Sequence, residues 1–147
     1  MLDAFGISHA FLLLADGSLL IAGSAEKDRS STGNGSGGTG YDGWLLKAGA
    51  SGKILWQKWI DKGADEAIFA VLQAPDAGFI CLANSGKLDK FGSGISEAWL
   101  FKCSTDGVVN NEATLPKARF VATGGANLLV RNGNQLTVAC SMPQPTG

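Results

Sequence analysis

Short apolar runs alternate with polar, glycine-bearing breaks along this chain, and runs of this length and spacing predict β-strands joined by tight connections. In YDGWLLKAGASGKILWQKWI, residues Tyr41 to Ile60, the runs Trp44 to Ala48 and Lys53 to Ile60 flank Gly49-Ala50-Ser51-Gly52. Both glycines can take the positive φ of a tight antiparallel turn, so the stretch predicts a β-hairpin. Glu97-Ala98-Trp99-Leu100-Phe101-Lys102 repeats the order acid, small, Trp, Leu, apolar, Lys of Asp42 to Lys47, with Trp99 standing 55 residues after Trp44 and Thr105-Asp106-Gly107 as its turn. Its outer arm, ending near Ala113, is weaker, because Val108-Val109-Asn110-Asn111 stands where the first hairpin has Ile54-Leu55-Trp56-Gln57.

A second kind of hairpin lies between these. His9 to Ser24 turns at Ala15-Asp16-Gly17-Ser18, and Ala67 to Ser85 turns at Pro75-Asp76-Ala77-Gly78, with Ser85 set against Ser24 at a spacing of 61. Asn127 to Ser141, turning at Arg131-Asn132-Gly133-Asn134, is a third copy. The two hairpin kinds alternate, giving a unit of four strands and roughly 55–60 residues. The approximate units are 1–64, 65–117 and 118–147, within one domain spanning 1–147. Ala25 to Gly40, AEKDRSSTGNGSGGTG, is too poor in apolar side chains to offset the entropy of ordering and is expected to form a mobile surface loop, with Gly86 to Ser96 as its shorter counterpart. Asp61 to Glu66 is expected to be a solvated connection between units.

Composition narrows the class. With 147 residues the chain can bury a real core, and its 21 glycines lack the every-third spacing of collagen. Twelve basic and 13 acidic residues leave a net charge of −1 with no cationic stripe, which argues against nucleic acid as a partner. Apolar runs such as Ala10 to Ala15 are much too short to span a bilayer as a helix. Met-Leu-Asp-Ala-Phe lacks the basic start of a secretory signal, so no export address is read, and the compartment stays unread. Cys81, Cys103 and Cys140 have neither a C-x-x-C spacing nor a histidine nearby, and are expected to be buried free thiols.

The pattern resembles the tandem β-propeller repeat proteins of bacteria and archaea, whose blades read approximately D-x-W-L-x-K, a Gly turn, an x-x-W strand, D-[DE]-x-A, and a D-G-G-[YF]-I hairpin. Asp42-Gly43-Trp44-Leu45-Leu46-Lys47, Gly52, Trp56, Asp65-Glu66-Ala67 and Asp76-Ala77-Gly78-Phe79-Ile80 carry the likeness, with Ala77 departing from the usual Gly. The resemblance implies four-stranded antiparallel blades, about two and a half of them, and no particular activity. A small β-sandwich or barrel is the alternative fold.

Candidate chemistry is sparse. Gly33 to Gly38 formally satisfies G-x-G-x-x-G, but a strand rather than a helix follows it, so the helix N-terminus needed for a pyrophosphate is missing. Asp28, Asn34 and Asp42 are oxygen donors suited to Ca²⁺, though their spacing matches no ligand loop. Asp65 and Glu66 are adjacent on an extended chain and point to opposite faces, which does not suit a paired acid and base. His9 is the one histidine and has no nucleophile in context. Trp44, Trp56, Trp99 and Phe79 occupy repeat positions and are expected to be core residues.

The chain is therefore expected to be a non-catalytic binding or interaction scaffold with no cofactor, its ligand an unidentified protein or small molecule. The rival is a fragment of a quinoprotein dehydrogenase propeller, holding pyrroloquinoline quinone and Ca²⁺ on its axis. A new absorbance band on adding both would single it out. Since propellers close with roughly four to eight blades, the count also implies a segment of a longer array or copies that associate through open sheet edges.

Overall fold

The computed structural model describes residues 6–26, 41–86, 95–121 and 128–139, and within them the apolar runs become strands. These are β1 Gly6–Leu13, β2 Leu19–Glu26, β3 Tyr41–Ala48, β4 Ile54–Ile60, β5 Asp65–Gln73, β6 Phe79–Gly86, β7 Ile95–Cys103, β8 Val109–Val121, β9 Leu128–Asn132 and β10 Gln135–Ala139. The expected all-β class holds. Strands β1 to β4 form one four-stranded sheet in chain order, β5 to β8 form another, and β9 pairs with β10. Every pairing is antiparallel. The described strands close neither a barrel nor a propeller ring.

One turn design recurs. In Leu14 to Ser18, Gly49 to Lys53, Ala74 to Gly78 and Ser104 to Val108, the first residue accepts from the fourth N–H and donates to the fifth carbonyl at 2.8–3.0 Å. The fourth residue then takes the left-handed region, with φ of +78° at Gly17, +81° at Gly52 and +77° at Gly107. Gly49, credited with the same freedom, does not use it. At Ala77 a side chain sits at φ +67°, a conformation that costs an L residue roughly 1–2 kcal/mol and that glycine takes without strain. Asp16 further pins its turn by accepting from the Ser18 N–H at 2.9 Å and from the Ser18 hydroxyl. These bonds hold its carboxyl below the usual range.

Register refines the internal match. Both β1–β2 and β5–β6 carry an irregularity at the same place, between Ser8 and Ala10 and between Ile68 and Ala70. Ser24 pairs with Ile7 and Asn84 with Ala67, so the counterpart of Ser24 is Asn84 and not Ser85, a spacing of 60 instead of 61. The turn fixes this count, whereas matching one serine with another does not. Trp44 opposite Gly23 and Trp99 opposite Ala83 occupy the same place in the two sheets.

The sheets pack face to face through β5, which lies against β1, β2 and β3. From the first sheet Leu20, Ala22, Leu45 and Ile60 enter the main core, and from the second Val71, Phe79, Cys81, Ala83, Trp99 and Phe101. Phe79 is fully buried, worth roughly 1.5–3 kcal/mol as a transferred side chain. Trp56, half-buried, leans across to Phe79 with ring centroids 6.4 Å apart, and its indole N–H donates to the Thr105 carbonyl at 3.1 Å. On the opposite face of the second sheet, Leu82 and Ala98 pack with Ile80, Leu100 and Val138 of β10, which makes the hairpin a third layer.

Several boundaries differ from expectation. Ala25 and Glu26 belong to β2, with Ala25 fully buried, so the strand extends into the segment expected to be loop. Asp65 and Glu66 belong to β5 and are 4% and 2% exposed, which overturns their assignment to a solvated connection. The ladder to β6 carries on through Asp65 opposite Gly86 and draws both acids inside. β8 continues to Val121, beyond the expected end near Ala113, by skipping residues between its pairings Thr114–Trp99 and Arg119–Glu97. Asp28, Asn34, the Gly33 to Gly38 motif and Cys140 lie outside the described residues.

Replacing Ala77 by Gly removes the left-handed strain and is expected to stabilise the protein by about 1 kcal/mol, or roughly 2–4 °C in melting temperature for a chain of this size. Trp99, 3% exposed and stacked on Phe101 at 4.6 Å, should behave oppositely. Trp99→Ala is expected to cost about 3–5 kcal/mol in urea denaturation.

Candidate functional site

Where the first sheet hands the chain to the second, three carboxylates converge. Asp42 enters from β3, Asp61 follows the last residue of β4, and Glu66 is the second residue of β5. One ligand oxygen from each lies within 4.8 Å of the other two. β3 can come this close because Gly43 lacks a side chain: a Cβ there would stand 3.2 Å from the Ile60 carbonyl oxygen and 3.3 Å from Ile68 Cγ1. Gly63, at φ +86°, turns the connection back so that its N–H donates to Asp61 Oδ1 at 2.7 Å.

Glu66 is held on one side only. Its Oε1 accepts from the Ser85 hydroxyl at 2.7 Å and from the Ala64 N–H at 3.2 Å. Its Oε2 is buried with no hydrogen-bond partner among the described residues. Burial pushes the Glu66 carboxyl above the usual glutamate value, the Ser85 hydroxyl and the backbone N–H groups of Lys62 and Ala64 offset part of this, and the charge of Asp61 adds to the rise. Lys62, the adjacent basic residue, turns away. Its ammonium meets Glu112 Oε2 at 2.7 Å and lies 4.1 Å over the Trp99 ring.

Of the three oxygen donors singled out from sequence, Asp42 is the one within the described residues, and it meets Asp61 and Glu66. Neither companion was named as a cation ligand, because strand pairing and the turn at Gly63 bring them to Asp42. Trp44 and Trp99 are buried, at 9% and 3% exposure, and so is Phe79. The indole nitrogens of Trp44, Trp59 and Trp99 are buried without acceptors among the described residues.

His9 packs at a tilt against Phe69, its counterpart in the second sheet, at a centroid distance of 4.8 Å, and partial burial lowers its pKa. Cys81 and Cys103, read separately from sequence, are buried free thiols on neighbouring strands. Burial, and then its contact with Cys103, hold the Cys81 thiol well above its ordinary value. It is therefore a poor nucleophile. Among the described residues no helix is long and apolar enough to cross a membrane. No family model matches the chain, and no curated protein matches it.

The raised Glu66 carboxyl sets a pH dependence of unusual sign for an acid. The folded protein holds that proton more tightly than the unfolded chain, so the contribution to stability is full below the ordinary glutamate range and is lost as pH rises through the raised folded value. In chelator, thermal melts across that window should show Glu66→Gln losing less stability with rising pH than the parent. Parallel profiles for the two proteins would contradict the assignment.

Proposed function

We propose that the chain is a non-catalytic interaction scaffold of the propeller-blade kind, in which sheets stack with unlike faces in contact. The observation that carries this reading is which faces meet. Ile21, Trp44 and Leu46 lie on the first sheet's face turned away from the second, in a cluster of their own. Their counterparts Cys81, Trp99 and Phe101 lie on the second sheet's face turned towards the first. Conversely Leu20, Ala22 and Leu45 face the second sheet, while their counterparts Ile80, Leu82 and Leu100 face the β9–β10 layer. Front meets back where the two four-stranded sheets join, as it does between successive blades. A two-fold sandwich would bring like faces together, whereas a heterologous contact can be repeated, in a ring if the rotation closes and in a filament otherwise.

Such stacking leaves apolar surface for another sheet along the β1 side of the first sheet's outward face, beside the buried Trp44 and Leu46. Phe11 pairs with Ile21 as Val71 pairs with Cys81, yet Val71 is 8% exposed beneath the first sheet and Phe11 is 76% exposed. Leu13, on the same side of edge strand β1, is 69% exposed. Apolar residues on an open edge strand are a template for association. The occupant is a further sheet of the same design, supplied by a second copy of the chain.

Light scattering tests this. The protein at tens of micromolar should show a mass of at least twice its 15.2 kDa, and Phe11→Asp combined with Leu13→Asp should return it towards that value without loss of the melt. A monodisperse monomer with a cooperative melt in the unmodified protein would overturn the reading in favour of a self-contained sandwich.

A further inference from the structure

We infer that Asp42, Asp61 and Glu66 form a binding site for a single Ca²⁺ ion at the junction of the two sheets. Two observations point there independently. The first is the convergence of three oxygens within 4.8 Å of one another. Three points so placed have a common neighbour within about 2.8 Å, close to the 2.3–2.6 Å of Ca²⁺–oxygen bonds. The second is Oε2 of Glu66, without a hydrogen-bond partner among the described residues, on a residue only 2% exposed. An orphaned buried carboxylate oxygen is costly, and a cation beside it removes that cost.

Chemistry selects the ion. The ligands are all carboxylate oxygens, which suit hard cations and not the softer metals that prefer sulfur or imidazole. Ca²⁺ accepts six to eight oxygens in flexible geometry, so the positions left over can be taken by water. Asp61, exposed, opens the cluster to solvent and provides an entry route. Mg²⁺ demands near-ideal octahedral geometry and dehydrates reluctantly, and it fits a cluster drawn from three separate segments less well. Lys62 does not compete for the place, since Glu112 and the Trp99 ring hold its ammonium.

Placement gives the ion a structural role. Asp42 belongs to a strand of the first sheet, Glu66 to a strand of the second, and Asp61 to the connection between them. A bound cation ties the two sheets at the point where the chain crosses, and it reverses the repulsion that Asp61 exerts on Glu66. The inference is independent of the stacking of copies, since every ligand comes from one chain.

Calcium chloride titrated calorimetrically into the chelator-treated full chain at pH 7.5 is expected to give one saturable site. Half-saturation should fall in the range of about 0.1–1 mM typical of open, low-ligand sites, and the melting temperature should rise by roughly 5–10 °C at a hundredfold excess over Kd. Magnesium chloride should give at least a tenfold weaker response. Glu66→Gln and, separately, the surface change Asp61→Asn should each weaken binding at least tenfold. Asp106→Asn, remote from the cluster, should leave it unchanged. Should Glu66→Gln fail to fold, Asp61→Asn still reads the site. No saturable heat and no shift in melting with the folded parent protein would overturn the proposal. Equal binding by Asp61→Asn would overturn it as well.

Discussion

The passage of β5 across the face of the first sheet is the constraint on which the rest of this structure depends. Each sheet is a meander whose ladders run among its own four strands, so ladder bonding does not join the sheets, and the Trp56 indole bond to the Thr105 carbonyl crosses between them only at the periphery. What joins them is apolar surface. Ile68 and Val71 of β5 and Phe79 of β6 meet Leu20, Ala22 and Leu45, and removing that area from water is the main favourable term available to a chain with few charged groups. The rings add orientation: His9 on Phe69 and Trp56 against Phe79 fix the offset between layers as well as their spacing.

That crossing sets up an electrostatic conflict. The connection from β4 to β5 is short, and pulling it tight brings Asp61 and Glu66 to the side of β3 that carries Asp42. A buried carboxylate with one unsatisfied oxygen sits beside a like charge, at a point where apolar packing on either side is close. Ser85 and the Ala64 amide compensate one oxygen and leave the other. Surface pairs elsewhere follow simpler rules. Lys102 with Asp76 and Lys62 with Glu112 join neighbouring parts of the second sheet and its approach at the solvent boundary, where such pairs contribute about 0–1 kcal/mol.

Much of the strand plan was legible because turns of this kind have strict backbone requirements. Gly17, Gly52 and Gly107 announce left-handed positions, and the departure at Ala77 was visible as a break in the expected glycine pattern before its φ was known. The equivalence of Trp44 and Trp99 was legible too, since the residues around each match in order and type. Ser24 and Ser85 misled because small polar residues recur near strand ends and carry no register of their own. Asp65 and Glu66 misled for a different reason: two adjacent acids resemble a solvated turn, and only the continuing ladder opposite Ser85 and Gly86 puts them inside. Asp42 was recognisable as an oxygen donor, but its neighbours in the chain, Asp28 and Asn34, were the natural companions to name. Its companions in space arrive through β4 and β5.

Because each four-stranded sheet is a contiguous stretch of sequence, with every ladder closed between chain neighbours, the architecture is divisible in a way that interleaved β folds are not. Duplicating or deleting one such stretch would cut no hydrogen-bond ladder. It would part only two facing surfaces, those that meet across the β4–β5 crossing. Length becomes an adjustable quantity in such a molecule, and an ancestor could gain or lose layers by recombination at the crossings while every surviving sheet kept its own fold. The crossing from β4 to β5, where Asp61 and Glu66 meet Asp42, would then be a place at which successful and failed recombinants differ.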